Sequence, residues 1–219
     1  RSRELSFLSR AINRMSDALA LSEQQRQSQL DKARRIQQNL LPVCDDLSGA
    51  KFAVRYEPAD DVAGDFYDVR RLDDGSWVIL LADVTGHGIP AAMNATLLKT
   101  HFAEACERFS DVLSIVQHVN RRFTPLTLVE DFATGIVLRF VPDSNTLQVV
   151  NAGHDAGLLR SSDGTLRECK SSGLLMGVDA DAQWEVDEFT TSSGDRFLAY
   201  TDGISETMDS NNEMFGRDR

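Results

Sequence analysis

Three aspartates stand at the ends or starts of apolar runs, each with a glycine close by: Asp65 in "VAGDFYD", Asp83 in "ILLADVTGHG" and Asp202 in "FLAYTDGISE". A single aspartate after a strand is usually a turn former or a helix cap. Three in one pattern call for a shared cause. Carboxylates gathered from distant segments repel one another, so such a cluster is tolerable only if cations neutralise it or some members take up protons. Oxygen-only donors select hard ions, Mg²⁺ or Mn²⁺, over zinc, and His87, His101, His118 and His154 show no HxxxH or HExxH spacing. The nearby glycines let main chain approach an ion, which adds a carbonyl beside Asp83 to the candidate donors. Two such ions roughly 3.5–4 Å apart, sharing a water, form a hydrolytic centre suited to phosphate esters.

The elements that must carry these residues follow from periodicity. Leu5, Leu8, Ile12, Met15 and Leu19 alternate steps of three and four, and the phase returns at Ala33, Ile36 and Leu40 after a polar middle. This spacing predicts one helix over 5–41, ended by Pro42, with a seam suited either to a parallel dimer or to packing on its own domain. After Pro42 the pattern changes to short alternating runs. Strands are expected at 51–58, at 66–84 with a hairpin turn at Asp74-Gly75, and at "FATGIVLRF", "TLQVVNAG", "GLLRSSDGTLREC", "WEVDEF" and "DRFLAYTD". Two helices are expected over 89–109 and 110–124. Strands, a helix pair and strands again describe an α+β domain with mainly antiparallel sheets.

Alternation along the strand sends Asp68 to the face opposite Asp65, so it is expected in an outer shell or at the surface. Glu206, one helical turn after Asp202, is a candidate to support the site. Asn151 and His154 of "NAGH" are read as structural.

Composition narrows the partners. With 34 acidic and 23 basic residues the net charge is −11, which provides no phosphate-neutralising surface and argues against nucleic acid. Three scattered cysteines without CxxC spacing, Cys44, Cys106 and Cys169, argue against a disulfide scaffold or structural zinc and for a reducing, cytoplasmic setting.

Five motifs, "ARRIQQNLLP" (33–42), "YEPADDVAGDFYDV" (56–69), "LADVTGHGIPAAM" (81–93), "NAGHDAGLL" (151–159) and "YTDGISET" (200–207), resemble in order and spacing the SpoIIE/RsbU branch of the PPM-type metal-dependent serine/threonine protein phosphatases. The resemblance covers about residues 33–219 and implies a four-layer αββα sandwich with two Mn²⁺ or Mg²⁺ ions at one edge between the sheets. Motif by motif it implies Asp65 as a metal ligand, Asp83 as the bridging ligand, the Val84 carbonyl as a further ligand, and Asp202 as a ligand to the second ion. The reaction it implies is in-line attack on phosphorus by a metal-activated water, without a covalent phosphoenzyme. His87 is then either the proton donor to the leaving serine oxygen or a turn-stabilising residue, because this branch spaces its histidine differently from the main "DGHG" pattern.

Two departures from the branch are visible. Asp155-Ala156 replaces a proline-containing turn, and the "DD" pair that follows "FG" in the family is absent, so residues 1–219 are expected to lack part of the centre and to bind Mn²⁺ weakly. The branch implies a phosphorylated STAS-domain anti-anti-sigma protein as substrate. The alternative is a catalytically impaired pseudophosphatase that docks a partner. Residues 3–19, "RELSFLSRAINRMSDAL", resemble the second helix of a HAMP signalling module. That implies a signalling helix over 1–41 followed by a phosphatase domain over 42–219, a homodimer through the helix, and membrane attachment only through an upstream sensor.

Overall fold

The computed structural model describes residues 2–43 and 46–216; Cys44 lies outside them, and Cys106 and Cys169 are free thiols. The chain divides into two compact units, one ending at Leu40 and the other beginning at Leu41.

The first unit is a single helix, α1 (Ser2–Leu40). It stops one residue before the expected end because the ring of Pro42 disfavours helical backbone at Leu41. The seam residues Leu5, Leu8, Ile12, Met15 and Leu19 are each more than half exposed. Among the described residues, no helix is long and apolar enough to cross a membrane.

The second unit runs β1 (Asp46–Leu47), β2 (Ala50–Lys51), β3 (Phe66–Arg71), β4 (Trp77–Val84), α2 (Gly88–Arg108), α3 (Val112–Phe123), β5 (Ala133–Val141), β6 (Thr146–Ala152), β7 (Gly157–Arg160), β8 (Leu166–Cys169), β9 (Asp187–Thr190), β10 (Arg196–Leu198) and α4 (Asp202–Ser205). Two antiparallel sheets carry it, one of five strands in the order β3-β4-β5-β6-β9 and one of three in the order β10-β7-β8. The fold is thus the expected sandwich of antiparallel sheets with helices outside.

Strand alternation divides the interior. Val78, Leu80, Ala82 and Val84 of β4 face α2 and α3, where they meet Leu98, Phe102, Ile115 and Val119. The intervening Ile79 and Leu81 face the smaller sheet, alongside Ile136, Leu138, Leu159 and Phe197. Each large side chain so buried contributes about 1.5–3 kcal/mol, so sheet and helices are held as one layered body. Hairpin turns form where expected. Gly75 and Gly164 take φ of 83° and 92°, a backbone that glycine adopts without Cβ strain.

Two strand expectations are corrected. Of the stretch 51–58 only Lys51 pairs, in a small hairpin of β2 with β1; the apolar alternation at Phe52 and Tyr56 instead covers Tyr67, with ring centroids 6.4 Å apart in both pairs. Alternation reports which face is buried, not whether the backbone finds a partner strand. "WEVDEF" becomes a strand only from Asp187, because Trp184 is used to anchor a loop, its indole N–H donating to the Leu174 carbonyl at 2.8 Å.

Candidate functional site

The turn between β3 and β4 sets the geometry. Phe66 pairs with Ala82, so one step further along the same register puts Asp65 opposite Asp83 on the face turned toward the smaller sheet. On the other side of β4, Asp83 pairs with Thr134 of β5. One row across the sheet edge therefore holds two carboxylates and a hydroxyl.

Asp65 and Asp83 face each other across the strand pair, and burial, the Asp65 carboxyl, and then the charges of Asp202 and Glu206 push the Asp83 carboxyl up to about 7. All the charges acting on it are acidic. Two carboxylates this close repel, and either a proton or a cation on one of them relieves that repulsion. Among the described residues no three acid, histidine or cysteine side chains close around one point. Strand register brings two of the three predicted aspartates face to face; Asp202, exposed at the first residue of α4, acts on Asp83 through its charge.

The Val84 carbonyl lies in the same region. A Cβ built on Gly64 would stand 2.3 Å from that oxygen, so only glycine fits against the buried carbonyl. Two facing carboxylates, a nearby main-chain carbonyl and only acidic charges acting on Asp83 make a donor set that fits a hard divalent cation.

Further groups hold this row in place. Thr201 is the N-cap of α4, yet its hydroxyl caps nothing; it donates to Asp65 Oδ2 at 2.8 Å. The Tyr56 hydroxyl donates to the Asp65 main-chain carbonyl at 3.2 Å. His154 is buried, with Nδ1 2.7 Å from Thr134 Oγ1 and Nε2 3.1 Å from the Tyr200 carbonyl. Burial holds this imidazole below its usual range. Asn151 shapes the turn beneath it: its Oδ1 accepts from the His154 N–H at 2.8 Å, while its Nδ2 donates to the Cys169 carbonyl at 3.0 Å.

Other expectations resolve differently. Asp68 is on the opposite face from Asp65, as alternation requires, but it is neither outer shell nor surface. It is buried and paired with Lys99 of α2 at 2.8 Å and Arg70 at 3.0 Å. Sequence alternation gave its face; the partner on α2 was out of reach of local pattern. His87 is exposed at the N-cap of α2 and makes no capping bond, so the turn-stabilising role finds no support there. Glu206 contributes charge to Asp83 and its own N–H donates to the Asp202 carbonyl at 2.7 Å. Thr134, Thr201 and Gly64 were not anticipated from sequence. The signal that points to Thr134 and Gly64 is the strand register around Asp83.

The sequence profile of the family described as Stage II sporulation protein E (SpoIIE) matches residues 73–219. The chain belongs to the SpoIIE family. It is 31% identical to Protein IcfG of Synechocystis sp., a match covering 87% of this chain and 34% of that protein. It is 26% identical to the phosphoserine phosphatase RsbU of Bacillus subtilis, covering 86% of this chain and 57% of that protein. The chain thus spans about a third to just over half the length of these curated relatives. In three dimensions it is similar to the SiaA-PP2C domain of Pseudomonas aeruginosa, with a TM-score of 0.77 and 23% identity over 90% of this chain and 80% of that one. This SpoIIE-family chain therefore has the PP2C fold, which it shares with RsbX, a protein whose structure was solved in complex with magnesium.

Proposed function

We propose that this chain is the output domain of a bacterial signalling protein, a metal-dependent protein phosphatase acting on phosphoserine or phosphothreonine of a regulatory protein. The observation that carries the reading is the facing of Asp65 and Asp83 at a sheet edge, where the charged groups acting on the Asp83 carboxyl are all acidic. The name of its relative RsbU, a phosphoserine phosphatase, supports the substrate class. Asp65, Asp83, Asp202 and the Val84 carbonyl would hold Mg²⁺ or Mn²⁺, two ions in the full reading. Bound there, the metal supplies Lewis-acid polarisation of the phosphoryl group and lowers the pKa of water.

The chain's own residues have separable tasks. Asp83 gives up its proton to become a donor, and Thr201 orients Asp65 through Oδ2. Gly64 leaves the Val84 carbonyl room that a Cβ would fill. His87, exposed at the start of α2 beside the Asp83 turn, is free to face a leaving serine oxygen and donate a proton to it.

We assign residues 1–41 as a signalling helix and 42–219 as the phosphatase domain. The exposed three-four seam of α1 supports a parallel homodimer, since a second copy would cover it. The substrate we propose is a phosphorylated STAS-domain protein, and membrane attachment would come only through a sensor upstream of this chain.

The test is hydrolysis of a phosphoserine peptide by the full chain with Mn²⁺ or Mg²⁺. Weak turnover that a chelator abolishes and an excess of either ion restores is expected. Turnover unaffected by chelator overturns the reading, and partner binding without turnover assigns the chain to a docking module instead.

A further inference from the structure

His154 joins parts of the molecule that the strand ladders leave unconnected. It follows β6, its Nδ1 meets Thr134 of β5 in the larger sheet, and its Nε2 meets the carbonyl of Tyr200, just past β10 of the smaller sheet. The segment it grips is the one that matters. Tyr200 is followed by Thr201, whose hydroxyl holds Asp65 Oδ2, and by Asp202, which opens α4. Thr134, on the opposite end of the imidazole, is the strand partner of Asp83.

The bonding pattern specifies a tautomer. A carbonyl only accepts, so Nε2 carries the proton toward Tyr200, and Nδ1 accepts from the Thr134 hydroxyl. That hydroxyl is 3.5 Å from the Asp83 main-chain carbonyl, too far to compete with a 2.7 Å partner. The neutral ring therefore satisfies both ends. The Asn151 side chain, bonded to the His154 N–H, fixes the backbone from which the ring projects.

We infer that His154 is a positioning residue, a neutral Nε2–H imidazole clamp that ties the Tyr200–Asp202 segment to the β4–β5 strand ends and so sets Asp65, Asp83 and Asp202 at their mutual spacing. The assignment rests on the proposed phosphatase reading for its consequence in metal binding, and on geometry alone for the clamp itself.

Gln and Asn separate the two ends of the ring. Gln at 154 reaches Tyr200 with its amide N–H₂, as Nε2 does; Asn is shorter and reaches Thr134 only. In the full chain, amide hydrogen exchange over residues 200–206 is expected to accelerate about tenfold in His154→Asn and to stay near wild type in His154→Gln, with the β3–β4 amides unchanged in both. Mn²⁺ affinity, read by the electron paramagnetic resonance of free Mn²⁺, should fall about tenfold in His154→Asn and within about threefold in His154→Gln. The ¹⁵N shifts of the His154 ring should report a protonated Nε2 and a bare Nδ1.

Unchanged exchange over 200–206 in His154→Asn, equal effects of Asn and Gln, or a protonated Nδ1 with bare Nε2 would each overturn the clamp. Should His154→Asn fail to fold, Thr134→Val removes the donor to Nδ1 alone and is expected to speed the same amides by a smaller factor; no effect there also overturns it. A wild-type chain that binds no Mn²⁺ overturns the phosphatase reading, while the exchange and ring shifts still decide the clamp.

Discussion

Strand β3 and the residue before it carry two acidic sites only three residues apart, and they are treated in opposite ways. Asp68, on the helix face, is buried with Lys99 at 2.8 Å and Arg70 at 3.0 Å, and it also accepts from the Val69 N–H at 2.9 Å. Burial presses the Lys99 ammonium below its usual range while the Asp68 carboxylate works against that shift. Asp65, on the sheet-to-sheet face, meets another carboxylate instead, and the charges acting on Asp83 are those of Asp65, Asp202 and Glu206. The chain can therefore compensate a buried acid and does so at Asp68. Where it leaves a pair of acids uncompensated, the missing positive charge is one that the solvent or a ligand must bring.

The strongest way to break this contrast is Asp83→Asn. Turnover is expected to fall on the order of 10²–10³-fold or more in a phosphopeptide assay with Mn²⁺, while the metal-free protein should melt higher than wild type at pH 8. The sign follows from the raised carboxyl: its ordinary value of 3.8 moves up to about 7 in the folded chain, so the stability it contributes is complete below the ordinary value and lost as pH rises through about 7. Metal-free wild type should accordingly gain stability from pH 8 to pH 6 more than Asp83→Asn does. Equal pH dependence in the two would remove the argument.

At the compensated site the effect runs the other way. Asp68→Ala leaves Lys99 buried without its carboxylate and should cost about 3 kcal/mol in denaturant unfolding, whereas Asp68→Leu combined with Lys99→Met should cost clearly less. Failure of the double variant to recover stability would show that the pair does more than cancel charge.

Gly64→Ala probes the edge between the two. Its Cβ would stand 2.3 Å from the Val84 carbonyl, a main-chain atom that cannot swing away. About 1–3 kcal/mol of stability should be lost, together with Mn²⁺ affinity measured on the folded fraction. Loss of stability with unchanged affinity would take the Val84 carbonyl out of the donor set.

The smallest effect is expected at His87. Exposed and without a capping bond, it should tolerate His87→Gln with no change in melting temperature. A drop in kcat confined to substrates with poor leaving groups would assign it the proton-donor role.

Much of this was readable from local pattern. The helix expected at 89–109 forms as Gly88–Arg108 and that expected at 110–124 as Val112–Phe123, because a 3.6-residue apolar period leaves few alternatives. The Asp74-Gly75 turn was legible too, and with it, in principle, the facing of Asp65 and Asp83, since a hairpin's register is counted outward from its turn. Phe52 and Tyr56 show the limit of pattern: their alternation identified a buried face and wrongly suggested a paired strand.

By itself, then, the sequence determined the order of elements, the faces of the strands and the identity of the three aspartates, because these depend on neighbours within a few residues along the chain. Only the tertiary structure decided which acids are compensated. Lys99 reaches Asp68 from a helix 31 positions away, Thr201 reaches Asp65 across 136 positions, and His154 finds both Thr134 and Tyr200. Charge compensation and side-chain clamping act through space over a few ångströms, and the chain must fold before such distances exist.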